Sequence, residues 1–165
     1  MAFHLAQAFA GQVAPGSLDD LTRRLPHESM QRLASLRQKA TQEGVDPKLA
    51  IHLAFLENEK ALVSGKLTEE GGGLLQVSDQ ILEQFGGDRE TAGLRFFKSL
   101  LEETGSAGKA LLGYQQGRMG LRNMLGFGGE LGPIGKKRLQ RSQDLGGVEQ
   151  DPDLIELFNR KAPKQ

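Results

Sequence analysis

Apolar positions recur at three- and four-residue spacing through most of residues 17–117, and nowhere does a period of two persist long enough to argue a strand. The first helical stretch starts at Ser17, a good N-cap, with Asp19 and Asp20 in its first turn, Leu18, Leu21 and Leu25 on one stripe, and Pro26 as a break. Met30, Leu33, Leu36 and Ala40 form the stripe of a second helix, and Gly44 stands where a C-terminal cap belongs. Asp46 and Pro47 open a third, Asp as N-cap and Pro at the first helical position, where its missing N–H costs nothing. Its run PKLAIHLAFLENEKAL is almost unbroken apolar from Leu49 to Leu56, which predicts a central helix packed on most sides.

The segment SGKLTEEGGG reads as a loop, after which Val77, Ile81, Leu82 and Phe85 predict a helix ended by Gly86 and Gly87. Leu94, Phe97, Leu100 and Leu101 predict another, closed by Gly105, and Lys109 to Gln115 a short apolar helix that carries the sole tyrosine, Tyr114. The expected fold class is all-α. Of the 22 glycines, twelve fall between Gly105 and Gly147, and the text GFGGELGPIGKKRLQRSQDLGG is poor in apolar residues. Residues 17–120 are therefore read as one helical domain, and 121–165 as a Gly-rich, loosely ordered arm. The arm ends in a short docking helix that Asp151 and Pro152 start and Leu154, Ile155, Leu157 and Phe158 fill. KKRLQR at 136–141 reads as a solvated basic patch.

Composition narrows the function classes. The 165 residues leave room for one domain, and 21 basic against 21 acidic side chains leave no net field to steer the chain toward nucleic acid. With no cysteine, disulfides, thiol nucleophiles and the common zinc ligand sets are excluded. The N-terminal run MAFHLAQAFAGQVA lacks a basic start and is interrupted by His4 and Gln7, so no signal peptide is expected, and no transmembrane segment, since no run reaches the roughly eighteen apolar residues needed to span a bilayer. His4, His27 and His52 are scattered, and no metal site is expected.

The candidate chemistry centres on Glu57. A carboxyl group held against Leu53, Ala54 and Leu56 loses hydration of its charged form, so its pKa rises and it can act as a general acid; a helix C-terminus pushes the same way. Read by spacing alone, Glu57 and Glu59 are equally the polar end of an amphipathic helix, with Lys60 as a solvated partner. The triple glycine 71–73 lacks the following Lys-Ser/Thr of a nucleotide loop.

GVDPKLAIHLAFLEN, GGGLLQV, AGLRFFKSLL and ALLGYQQG occur in this order, and over residues 44–117 the chain resembles the soluble lytic transglycosylase family, the goose-lysozyme-like domain that cleaves murein. Glu57 stands ten residues after Pro47, as that family's catalytic Glu does after its proline. Gly73-Leu74-Leu75-Gln76-Val77 matches the Gly-Leu-Met-Gln signature, Gly93, Phe96 and Phe97 the glycine–aromatic one, and Gly113-Tyr114-Gln115-Gln116-Gly117 the Ala-Tyr-Asn-x-Gly one. The resemblance implies a lysozyme-like helical fold and peptidoglycan glycan strands as the partner, with close backbone approach to a glycan as the reason for the triple glycine 71–73. It implies Glu57 as the catalytic acid/base, Asn58, Gly73, Leu75, Gln76, Tyr114 and Gln115 around the substrate, and no cofactor. Departures are Asn58 where the family has Ser after the Glu, Gln115 where it has Asn, and the lack of a clean counterpart for its loop serine, Ser64 and Thr68 both being shifted.

A murein-cleaving domain without a leader fits a bacteriophage virion component delivered to the cell envelope, its C-terminal arm meeting virion or secretion-apparatus proteins. The departures keep open a structural or ejection protein that retains the fold without cleaving, and a hydrolytic lysozyme is the third alternative.

Overall fold

A computed structural model describes residues 14–68, 70–126 and 130–160. The first thirteen residues, with His4 and most of the run discussed above as a leader, lie outside them, as do Glu69, 127–129 and 161–165. The described residues are all-helical. The helices are α1 (Leu18–Arg23), α2 (His27–Glu43), α3 (Pro47–Ser64), α4 (Asp79–Phe85), α5 (Arg89–Thr104), α6 (Ala107–Gly126), α7 (Pro133–Leu145) and α8 (Pro152–Asn159), with a 3-10 turn at Glu70–Gly72. No helix among them is long and apolar enough to cross a membrane.

Local signals set most of the boundaries. The side chains of Ser17, Asp46, Asp88 and Asp151 each accept a backbone N–H of the helix they precede, satisfying donors that have no partner inside the first turn. Pro47 and Pro152 occupy first-turn positions, and Gly44, Gly65 and Gly105 end their helices in the left-handed conformation. α4 starts at Asp79, two residues after Val77 where the apolar pattern begins; Ser78 caps it, and Val77 is buried as part of the loop. In α2 the buried face is Ser29, Leu33, Leu36 and Ala40, so Met30, expected on the stripe, is 45% exposed. The Ser29 hydroxyl is tolerated inside because it donates to the Leu62 carbonyl of α3 at 2.5 Å.

The centre is α3, which buries Ala50 to Phe55 without interruption, packed on α2 and α7. α5 brings Ala92, Leu94, Phe96, Phe97 and Leu100 into the same core and contacts α2, α4 and α6.

The C-terminal third differs from the sequence reading. α6 does not stop near Gln115 but continues to Gly126 through a break at Gly117 (φ 79°, ψ 158°), a conformation that glycine adopts without steric cost. The boundary drawn at 120/121 falls inside this helix. Beyond the break, Leu121 and Met124 join Leu112, Leu131, Leu154 and Leu157 in a second apolar cluster, on which α8 docks. The stretch expected to be loosely ordered contains α7. Its glycines sit largely at the helix ends, where they cap rather than weaken it, and Gly135 lets Leu131 close in: a Cβ there would lie 2.5 Å from Leu131 Cδ1. Polar side chains, not an apolar stripe, carry much of its packing.

Candidate active site

α3 consists of two helical segments joined at Asn58, whose φ of −149° and ψ of 39° interrupt the helix immediately after Glu57. The Glu57 side chain, 14% exposed, lies at the end of the first segment. Burial pushes its carboxyl above the ordinary carboxylate range; the adjacent Arg138 charge and hydrogen bond pull the other way, and burial prevails.

Arg138 belongs to α7 and is only 7% exposed. Its Nη2 donates to Glu57 Oε1 at 3.1 Å and its Nε to the Leu111 carbonyl of α6 at 2.9 Å, so one guanidinium ties three helices together. One turn further on, Arg141 pairs with Glu59, its Nε donating to Oε1 at 3.0 Å. Ser142 Oγ lies 2.8 Å from His52 Nε2. A polar seam of His52–Ser142, Glu57–Arg138 and Glu59–Arg141 thus joins α3 to α7. His52, 1% exposed, has its pKa lowered to about 4, first by burial and then by the charge of Arg138, with a smaller push from Arg141; a backbone hydrogen bond at Gly146 opposes them.

Tyr114 projects from α6 between Phe96 and Phe97, with ring centroids 5.4 and 6.4 Å away. Its hydroxyl donates to the Leu75 carbonyl at 2.7 Å. Burial raises its pKa well above the ordinary phenol value; the charge of Glu57 adds to this and Arg138 opposes it, so the three groups share one electrostatic environment. Leu75 itself is a core residue that serves the site through its backbone.

The loop from Gly71 to Val77 is shaped by backbone. Gly71, Gly72 and Gly73 all have positive φ, and Gln76 follows them into the left-handed region at 51°. Gly72 has no room for a side chain, since a Cβ would lie 2.7 Å from the Val77 nitrogen and 2.8 Å from its oxygen. The close approach is to the chain's own backbone, which gives the triple glycine a reason other than approach to a glycan. Gln76 Nε2 donates to the Gly73 carbonyl at 2.8 Å, and Asn58 Nδ2 reaches the same oxygen at a weaker 3.4 Å. Outside the loop lies an open cleft of about 430 Å³ lined by Gly72, Gln76, Ser78 and Arg89 among others.

The structure therefore gathers Glu57, Asn58, Gly73, Leu75, Gln76 and Tyr114 around the kink in α3 and the glycine loop. Gln115 is exposed on α6, its Oε1 accepting from Gln116 Nε2 at 3.0 Å. Sequence reasoning missed Arg138, Arg141 and Ser142, treated as part of a solvated basic patch or not at all. The one available signal was their spacing: Arg138, Arg141, Ser142 and Leu145 fall at helical intervals after Pro133. Chemically, a carboxyl whose proton affinity burial raises can give and take a proton, and in this arrangement a guanidinium holds it. Comparison of the chain with protein-family models, with curated proteins and with solved structures gives no match in any of the three.

Proposed function

We propose that this protein is a peptidoglycan lytic transglycosylase of lysozyme-like fold that cleaves the β-1,4 bond between N-acetylmuramic acid and N-acetylglucosamine. The observation that carries the reading is the position of Glu57: a carboxyl whose proton affinity burial raises, at the end of a helical segment, followed by Asn58, which reaches the Gly73 carbonyl, and near enough to Tyr114 for its charge to be felt there. Protonated, Glu57 gives its proton to the glycosidic oxygen as the bond to the muramyl anomeric carbon breaks. As carboxylate it then takes the proton of the muramyl 6-hydroxyl, whose oxygen attacks that same carbon. The product is a 1,6-anhydro sugar and no water is consumed. The substrate's own N-acetyl group stands in for the second carboxylate of an ordinary glycosidase. Gln76 and the Gly73 backbone hold sugar substituents, and Tyr114 fixes the loop through Leu75.

The setting attached to this activity is local cell-wall penetration by a phage particle, which immunodetection in purified virions tests. A second reading is favoured by one specific contact: the Glu57–Arg138 pair is what a structural or ejection protein would use to fix its helices, with no cleavage. Mass spectrometry of purified peptidoglycan digested by wild type and by Glu57→Gln separates the two. Anhydro-muropeptides that vanish in the variant support the transglycosylase, and ordinary reducing ends indicate a hydrolase. No cleavage by folded wild type favours the structural protein.

A further inference from the structure

We propose that α7 is an autoinhibitory strap: Arg138 occupies the Glu57 carboxyl in the form described here, and cleavage requires α7 to lift from α3. The inference rests on the transglycosylase reading of Glu57.

Two observations carry it. First, the Arg138 guanidinium touches the carboxylate oxygen itself, where a glycosidic oxygen would have to arrive, and it favours the charged carboxylate over the protonated acid that the first step needs. Second, the contacts that join α7 to α3 are largely polar, while Leu145 at its end belongs to the main core and Leu139 packs on the second apolar cluster. Of its thirteen residues only Gly135, Arg138 and Leu145 are buried, and the His52–Ser142, Glu57–Arg138 and Glu59–Arg141 pairs supply the seam to α3. The Glu59–Arg141 pair, about a third exposed on each side, exchanges readily for water, whereas the apolar core between α2, α3 and α5 does not.

The test uses full-length protein and intact peptidoglycan, with anhydro-muropeptide release as one readout and amide hydrogen exchange of residues 133–145 against 89–104 as the other. Arg141→Gln combined with Ser142→Ala loosens the seam without touching Glu57 or Arg138. We expect it to speed exchange in α7 alone and to raise the cleavage rate about tenfold, the effect of a tenfold larger open population. Arg138→Met, close in length and volume, should do the same while keeping the fold, and Glu57→Gln sets the zero of the assay. If the double variant exchanges faster in α7 but cleaves at the wild-type rate, autoinhibition is overturned while the transglycosylase reading stands. Unchanged α7 exchange overturns the seam as the hold. Accelerated exchange with no cleavage by any of these proteins removes the transglycosylase reading, and the strap's role with it.

Discussion

Acidification should destabilise this fold through one residue, His52. Buried on α3 against Arg138 and Arg141, its imidazole titrates near 4 in the folded chain and near 6.5 when unfolded. Because the folded pKa is depressed, the unfolded state binds the proton first as pH falls, so stability is full above about 6.5 and is lost progressively down to about 4, below which the loss levels off. Each pH unit inside that window costs about 1.4 kcal/mol, and by pH 4.5 the sum is roughly 2.5 kcal/mol, a large share of the 5–15 kcal/mol that a typical domain possesses. Glu57 acts in the opposite direction. Its folded pKa is raised above 4.5, so its charge costs stability near neutrality and protonation relieves that cost on acidification. Asp20, Asp88 and Asp151, whose folded pKa values are lowered, lose their contributions only at and below the ordinary carboxylate range. His52→Asn isolates the histidine, keeping a polar side chain toward Ser142 while removing the titration. Urea unfolding followed by far-UV circular dichroism, from pH 7.5 to 4.5, should show wild type losing roughly 2.5 kcal/mol more than the variant. Parallel pH profiles for the two proteins would refute the argument.

Two further substitutions probe the scaffold of the site. Tyr114→Phe removes the donor to the Leu75 carbonyl and should cost about 1–3 kcal/mol in thermal or urea unfolding; a variant as stable as wild type would show that this hydrogen bond does not hold the loop. Gly93→Ala would gain from helix propensity alone, but its Cβ would lie 2.8 Å from Val77 Cγ2 and 2.9 Å from the Tyr114 hydroxyl. A loss of about 1–3 kcal/mol is expected, and a stabilised variant would contradict the packing described between α5 and the loop.

What could be read in the sequence and what could not divide along a physical line. Caps are local, so Ser17, Asp46 with Pro47, Gly44, Gly105, and Asp151 with Pro152 announced their helices. Apolar periodicity made α3 central and placed the buried faces of α3 and α5. It could not reveal α7, because that helix is anchored by arginines whose partners lie 81 and 82 residues away in the chain. A charged residue reads as solvated until its partner is known, and Arg138 is buried only because Glu57, the Leu111 carbonyl and the fold bring its partners together. Met30 shows the complementary error: Leu33, Leu36 and Ala40 are buried as the stripe predicts, but its first place is filled by Ser29 through a hydrogen bond, and Met30 is exposed. For the site, the sequence singled out Glu57, Gln76 and Tyr114, whereas the kink at Asn58 and the left-handed Gln76 are backbone facts with no compositional signature.

Tyr114 has one more consequence. The chain contains no tryptophan and a single tyrosine, so near-ultraviolet absorbance and intrinsic emission above the phenylalanine band come from one phenol. That phenol sits between Phe96 and Phe97, donates to a buried carbonyl and feels the charges of Glu57 and Arg138. A change in its spectrum is therefore a signal from the candidate site itself, with no label attached, while far-ultraviolet dichroism reports the helices as a whole. Neutralisation of Glu57 and departure of the Arg138 guanidinium would each alter the surroundings of the same chromophore, which makes the unmodified protein its own optical titration.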